Sequence, residues 1–247
     1  MRSYVTIVDE DVDILPWFIQ WQRKLGADEF PLLVYGPQSS FDRASKIITD
    51  QGGKVIPLEV LDPSEFYRNG KITREEIYSH YHPEGEWAFF CDIDEFPQLE
   101  IEMVRTAMNH FPLGIFGRWV DRFGPEGKIV PLPEFGNGTS LDATFPTACC
   151  IQEHFNRPFM TYVLSRYCPT SHHPDRFQRR FELPTMLVPV HHFKFVANVY
   201  ERIERRIERV PNVSVGWQEV LKDLWVWLRH HDGADPTIVK PAPNLGI

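Results

Sequence analysis

The sequence predicts an α/β fold in which helices cover a mostly parallel sheet and further helices follow near the C-terminal end. Short apolar runs without strict alternation are separated by segments whose apolar residues recur at helical spacing, which is typical of strands buried on both faces of a sheet. The chain has 247 residues. A chain of this length can bury one large α/β core.

The first strand and helix are predicted from the start of the chain. The apolar run YVTIV, residues 4–8, predicts a buried strand. The following helix is predicted from apolar residues at helical spacing: Ile14, Phe18, Trp21 and Leu25. Asp13 is predicted to cap this helix, Pro16 to lie in its first turn and Gly26 to follow its end.

Later elements follow the same logic. Further strands are predicted from apolar runs at residues 32–35, 54–58, 87–91 and 114–120. Helices are predicted at about residues 41–51, around Ile77, at 196–210 and at 217–228. Residues 121–190 are rich in Pro, Gly and aromatic residues, and loops and short strands over the carboxyl edge of the sheet are predicted there.

Composition excludes several classes of protein. The formal net charge of −8 argues against a nucleic-acid binder that neutralises phosphates. The four cysteines include no CxxC pair and are predicted to be reduced thiols. Neither a signal-peptide pattern nor an apolar run long enough to cross a bilayer is found, so a cytoplasmic enzyme is expected.

Three acidic residues, Asp92, Asp94 and Glu95, come directly after the apolar run at 87–91. Acids at the end of a buried strand repel one another and lose hydration, and a divalent cation compensates both effects. Side chains two apart on an extended segment point to the same side, so Asp92 and Asp94 are predicted to share one ion. Oxygen donors suit magnesium or manganese. The alternative is that these acids only terminate the strand or cap the next helix.

The segment WAFFCDIDEFPQLE resembles the W-x-x-x-x-D-x-D-E-F signature of glycosyltransferase family 92 and related family-2-like enzymes. The segments VDEDVDILPWFIQWQRKLGADEF, WVDRFGPEG, QEHFNR and VHHFKF resemble further elements of these families in the same order, over roughly residues 4–210. The sequence departs from the pattern in two segments: Asp9-Glu10-Asp11 replaces Lys-Asn-Glu, and Gly36 replaces an Asp that contacts the nucleoside.

The resemblance implies a Rossmann-like GT-A fold and a metal-dependent transfer of sugar from a nucleotide-diphosphate sugar, mostly UDP-linked, to a glycan or other hydroxyl acceptor, with inversion. It implies manganese rather than magnesium as the cofactor. One GT-A domain is then expected over residues 1–232, with the nucleotide-sugar part at 1–120, the acceptor and metal-completing part at 121–232, and an extended Pro-rich tail at 233–247.

Several site residues are implied by the same resemblance. The D-x-D pair, Asp92 and Asp94, would bind the metal and the donor diphosphate, and a late His would complete the metal site. His192 is favoured as that ligand, with His191 behind it as the alternative. Lys194 is the favoured cation for the diphosphate.

The resemblance also implies that the loop after the first strand touches the nucleoside, which makes Val8, Glu10 and Asp11 candidates for that contact. Arg166, Arg202, Arg205 and Arg206 are also candidates for the diphosphate, but a solvated helix face is the preferred interpretation of the basic run from Arg202 to Arg209.

Inversion needs a carboxylate base. Four acids lie in the right region: Asp121, Glu134, Asp142 and Glu153. Asp142 is favoured as the catalytic base because it follows the polar, Gly-rich loop GNGTSL. His172 and His173 lie near a family His on the acceptor side, although the sequence favours a structural role for them.

Two other functions remain open. One is a different metal-dependent nucleotide enzyme, such as a nucleotidyltransferase, although no P-loop pattern is found. The other is a non-catalytic sugar-binding or nucleotide-binding module on the same fold, which the changed residues at 9–11 and 36 favour.

Overall fold

A computed structural model describes residues 1–8, 12–111, 114–151, 160–166, 186–209 and 215–247. The strands in these residues are β1 (Arg2–Ser3), β2 (Val5–Val8), β3 (Glu29–Tyr35), β4 (Lys54–Leu61), β5 (Ala88–Phe89), β6 (Glu95–Pro97), β7 (Ile115–Phe123), β8 (Thr147–Cys149), β9 (Met160–Ser165), β10 (Met186–His192) and β11 (Lys240–Pro241). The helices are α1 (Leu15–Lys24), α2 (Gln38–Asp50), α3 (Pro63–Tyr81), α4 (Ile101–His110), α5 (Leu141–Thr144), α6 (Val199–Arg209) and α7 (Val215–His231).

The N-terminal half of the sheet is parallel. β1 and β2 are two parts of one extended segment, and both pair in parallel with β3, which pairs in parallel with β4 on its other side. The chain then returns, and β5 pairs in parallel with β1 on the side away from β3. The strand order therefore reverses between β1–β2 and β5. In open α/β sheets this switch point is where a crevice opens outside the carboxyl ends of the strands.

The C-terminal half of the sheet is mixed. β9 lies between β5 and β7 and is antiparallel to both, while β10 runs parallel to β7 on its other side. β6 closes this edge by pairing antiparallel with β10. The predicted fold class, an α/β protein with helices flanking a large and mostly parallel sheet, is confirmed.

Two local predictions are wrong. β9 lies inside the sheet and is not a short strand over its edge; its described side chains, at 161–165, are buried on both faces, so no alternation marks it in the sequence. Asp13 does not cap α1: Ile14 occupies the cap position, and the exposed Asp13 carboxylate instead pairs with Arg43 of α2 at 2.8 Å. The predicted end of α1 at Gly26 is confirmed, with φ +95°.

The tail packs against the domain. β11 pairs antiparallel with β8, and Leu245 and Ile247 are buried in the main hydrophobic core. A separate core joins α6 and α7 to the end of β7 through Ile203, Leu228 and Phe123. No helix among the described residues is long and apolar enough to cross a membrane.

Candidate metal and nucleotide site

The acidic motif lies beside the switch point of the sheet. β2 ends at Val8, which is half-buried and packs against the aromatic cluster on one face of the sheet. β5 ends just before Asp92. The adjoining residues 9–11, with the candidates Glu10 and Asp11, lie outside the described residues. The acidic motif therefore lies next to the crevice in which a nucleotide is expected to bind.

Asp92, Asp94 and Glu95 belong to a turn. The Glu95 amide donates to the Asp92 carbonyl at 2.9 Å, so the chain reverses and the same-side rule for extended strands does not apply. Glu95 then enters β6, where its Oε2 accepts from the Asp92 amide and the Thr161 hydroxyl, both at 3.1 Å. Burial and the charge of Asp92 raise the pKa of Glu95 to about 8. Glu95 therefore supports the turn from inside the protein.

Asp92 is held by Arg74 of α3. The Arg74 Nη1 donates to Asp92 Oδ1 at 2.7 Å, and the arginine side chain is 12% exposed while the aspartate is 37% exposed. Burial lowers the pKa of Arg74, but the negative charge of Asp92 outweighs it and raises the pKa. Arg74 fixes one oxygen of the carboxylate and leaves the side chain partly open to solvent.

Asp94 faces His192 at the end of β10. The Phe193 amide donates to the Asp94 carbonyl at 2.8 Å, which joins the turn to β10. His192 Nε2 lies 3.5 Å from Asp94 Oδ2, and His192 Nδ1 lies 2.9 Å from Asp121 Oδ1 on β7. The second oxygen of Asp121 accepts from the Ile151 amide at 3.0 Å. The ring of His192 stacks on Trp119 with centroids 4.9 Å apart, so its orientation is fixed on every side.

The charges of this group are mutually dependent. Burial lowers the pKa of His192, but Asp94 and Asp121 outweigh it and raise the pKa to about 9. Burial raises the pKa of Asp94, but His192, Arg202 and Lys194 hold it far below its usual range. Asp94, His192 and Asp121 therefore form a charged cluster with a protonated histidine between two carboxylates.

Basic side chains surround Asp94. Arg202 of α6 is 13% exposed, and its Nη2 lies 4.0 Å from Asp94 Oδ2. Lys194 follows β10, and burial together with Arg206 lowers its pKa to about 8. Arg205, between the two arginines, is exposed. The interpretation of this run as a solvated face therefore holds for Arg205 and is wrong for Arg202.

His191 and Asp142 lie on the other face of β7 and β10. His191 Nδ1 accepts from Arg122 Nη1 at 3.1 Å, and burial and Arg122 lower the pKa of His191 to about 4. Arg122 Nη2 donates to Asp142 Oδ1 at 2.9 Å. Asp142 Oδ2 accepts from the Leu245 and Gly246 amides, both at 2.8 Å. The structure thus brings His192, and not His191, to Asp94, and these contacts place Asp142 in a buried network with the tail.

The donor set fits a divalent cation with two protein ligands. Metal-binding histidines usually donate their second ring nitrogen to a carboxylate, as His192 does to Asp121. Its Nε2 and the Asp94 carboxylate face each other at a separation that one ion could bridge. Among the described residues, however, no group of three or more His, Cys, Asp or Glu side chains could hold a metal. Magnesium-type sites of this kind complete their shell with substrate phosphates and water.

Sequence reasoning missed Arg74 and the role of Asp121 as the partner of His192. Both roles depend on contacts between distant segments, which no local pattern in the sequence indicates. For Arg202 and Arg206 a signal exists, because residues four apart in a helix share one face. Of the other candidate bases, Glu134 is exposed and Glu153 lies outside the described residues, as do His172 and His173.

No family model matches the sequence, and no curated protein matches it. Among solved structures, the crystal structure of HddC from Yersinia pseudotuberculosis is similar, with a TM-score of 0.41 and 11% sequence identity over 82% of this chain and 97% of that chain. A likeness at this level carries no argument about function.

Proposed function

We propose that the protein is a divalent-cation-dependent glycosyltransferase of the GT-A type, which moves a sugar from a UDP-sugar to a hydroxyl acceptor. The observation that carries this proposal is the juxtaposition of Asp94 Oδ2 and His192 Nε2, 3.5 Å apart, with Asp121 on the second ring nitrogen. It lies beside the switch point, where nucleotides bind in such sheets. The resemblance to family 92 supplies the reaction class and the preference for uridine and manganese.

Each residue then has a distinct task. Asp94 and His192 would hold the cation, which when bound neutralises charge on the departing diphosphate. Asp121 keeps the His192 ring in place and sets which nitrogen faces the ion. Lys194 and Arg202 add fixed positive charge at the same point, where it stabilises the leaving group.

The test is a titration of UDP in the presence of manganese. The Asp94→Asn variant should bind UDP with manganese at least about a hundredfold more weakly, since it loses a metal ligand and its charge. Asp13→Asn is the matched control, because it removes the same charge from an exposed carboxylate. Unchanged affinity in Asp94→Asn would contradict the proposed metal site.

Turnover separates the transferase from the alternatives. Incubation with UDP-sugars, manganese and hydroxyl acceptors should release UDP and form a glycoside. Binding of the donor without any UDP release would instead indicate a binding module. Release of pyrophosphate from a nucleoside triphosphate and a sugar phosphate would indicate a nucleotidyltransferase.

A further inference from the structure

Both aspartates of the acidic motif already have a basic partner. Arg74 Nη1 lies 2.7 Å from Asp92 Oδ1, and Arg202 Nη2 lies 4.0 Å from Asp94 Oδ2. The two arginine side chains are only 12% and 13% exposed, so their charges are poorly screened by water. A bare divalent cation that approaches Asp92 or Asp94 must therefore enter next to positive charge that is already in place.

Two more basic residues extend this charge beyond the aspartates. Lys194 interacts electrostatically with Arg202, Arg206 and Asp94. No carboxylate of the described residues forms an ion pair with Lys194. Half-buried positive charges that repel one another are unfavourable unless an anion neutralises them. Asp94 and Asp121 are carboxylates that act on these residues, and both are also shared with His192. Positive charge is therefore in excess, and the cluster of Arg202, Arg206 and Lys194, called the basic cluster below, has the composition of an anion site.

The basic cluster is held rigidly. Val199 and Ile203 of α6 are buried against α7, which fixes the rotation of the helix. Arg202 and Arg206 are four residues apart and so share one face. Both are half-buried, whereas Arg205 points to solvent and its Nε donates to the Glu201 carbonyl at 3.4 Å. The helix thus turns Arg202 and Arg206 to its half-buried side, where Arg202 approaches Asp94 and Arg206 acts on Lys194.

We infer that the nucleoside diphosphate binds without the metal, held by the basic cluster, and that it then completes the cation site with its own phosphate oxygens. This order of binding rests on the proposed function. It follows from two facts: the described protein residues offer a cation only two ligands, and the surrounding basic residues favour an anion over a bare cation.

Calorimetric titrations of the full chain test this order. The three titrants are UDP with a chelator, manganese alone, and manganese after saturation with UDP. Wild-type protein should bind UDP in the chelator, and manganese should bind at least about tenfold more tightly once UDP is present. Inorganic pyrophosphate should compete with UDP in the chelator, because the basic cluster recognises the phosphates.

Variants on α6 test whether the basic cluster is the site of metal-free UDP binding. Arg202→Gln and Arg206→Gln should each weaken metal-free UDP binding by about tenfold or more, since each removes a charged hydrogen-bond donor. Arg206→Lys should keep most of the affinity, which shows that a loss in Arg206→Gln is not a folding defect. Arg205→Gln removes the same charge from the same helix and should stay within about twofold of wild type.

Three results would overturn the inference: UDP binding that requires manganese, manganese binding that is equally tight with and without UDP, or equal losses in Arg205→Gln and Arg206→Gln. If UDP binds only with manganese and the binding needs Asp94, the order is wrong while the proposed function stands. If UDP fails to bind even with manganese, the proposed function and the order fail together.

Discussion

The two faces of the β7–β10 strand pair carry neighbouring histidines in opposite environments. Burial alone lowers the pKa of both. On one face His191 lies beside Arg122, and its pKa falls to about 4. On the other face His192 lies between Asp94 and Asp121, and its pKa rises to about 9. For His191 burial is the main cause and the charge of Arg122 adds to it, whereas for His192 the two carboxylates reverse the effect of burial.

The difference separates a structural network from the proposed binding site. Arg122 is 1% exposed and also donates to the Phe145 carbonyl at 2.9 Å and to the Pro243 carbonyl at 3.1 Å, so the His191 face is closed by groups with permanent partners. On the His192 face, the cation of the proposed site would replace the proton between His192 and Asp94. We therefore expect substitutions on the two faces to change different properties.

The largest effect is expected from Arg122→Met. This change leaves Asp142 buried without its cation and should lower the free energy of unfolding by about 3 to 5 kcal/mol, as the loss of one partner of a buried ion pair does. Urea denaturation measures it. Affinity for UDP with manganese should be unchanged at a temperature where the variant is folded. A stable variant that has lost UDP binding would show that the two faces are not separate.

The next effect concerns pH and His191. Its folded pKa of about 4 lies below the unfolded value of roughly 6.5, so between these values the unfolded chain binds more protons. The contribution of His191 to the free energy of unfolding is complete above pH 6.5 and should fall by roughly 3 kcal/mol as the pH drops towards 4. His191→Asn should lose this part of the pH dependence in urea denaturation series.

His192 should behave in the opposite way in metal-free protein. Its folded pKa of about 9 lies above the unfolded value, so its contribution is complete below pH 6.5 and is lost as the pH rises through 9. His192→Asn should therefore flatten the alkaline side of the stability profile and leave the change between about pH 4 and 6.5, which belongs to His191, unaltered. If both variants altered the same side, the assignment of the two environments would be wrong.

The smallest effect is expected from Asp121→Asn. Loss of a carboxylate behind a metal-binding histidine commonly weakens metal binding by about 10- to 100-fold, so UDP affinity with manganese should fall by that amount. Asp142→Asn is the control on the opposite face and should leave this affinity intact. It also tests the role predicted for Asp142 as a base: a folded Asp142→Asn protein that binds the donor but transfers no sugar would support that role.

Features that depend on residues close together in the sequence could be predicted. The fold class followed from apolar periodicity, and Asp94 and His192 were singled out from short motifs. The partners of these residues could not be predicted in the same way. Arg74 and Asp92 are 18 residues apart and His192 and Asp121 are 71 apart, so each contact depends on how helices and strands pack. For α6, the spacing placed Arg202 and Arg206 on one face, but only tertiary packing shows that this face is half-buried.

The pairing of β7 with β10 limits how this chain can change in length. His192 is aligned with Asp121 and His191 with Val120, and side chains alternate between the faces along both strands. A deletion of one residue within β10 shifts every following side chain to the opposite face. It would remove His192 from Asp94 and His191 from Arg122 in a single event. Point substitutions can damage one face at a time, whereas insertions and deletions in this strand cannot.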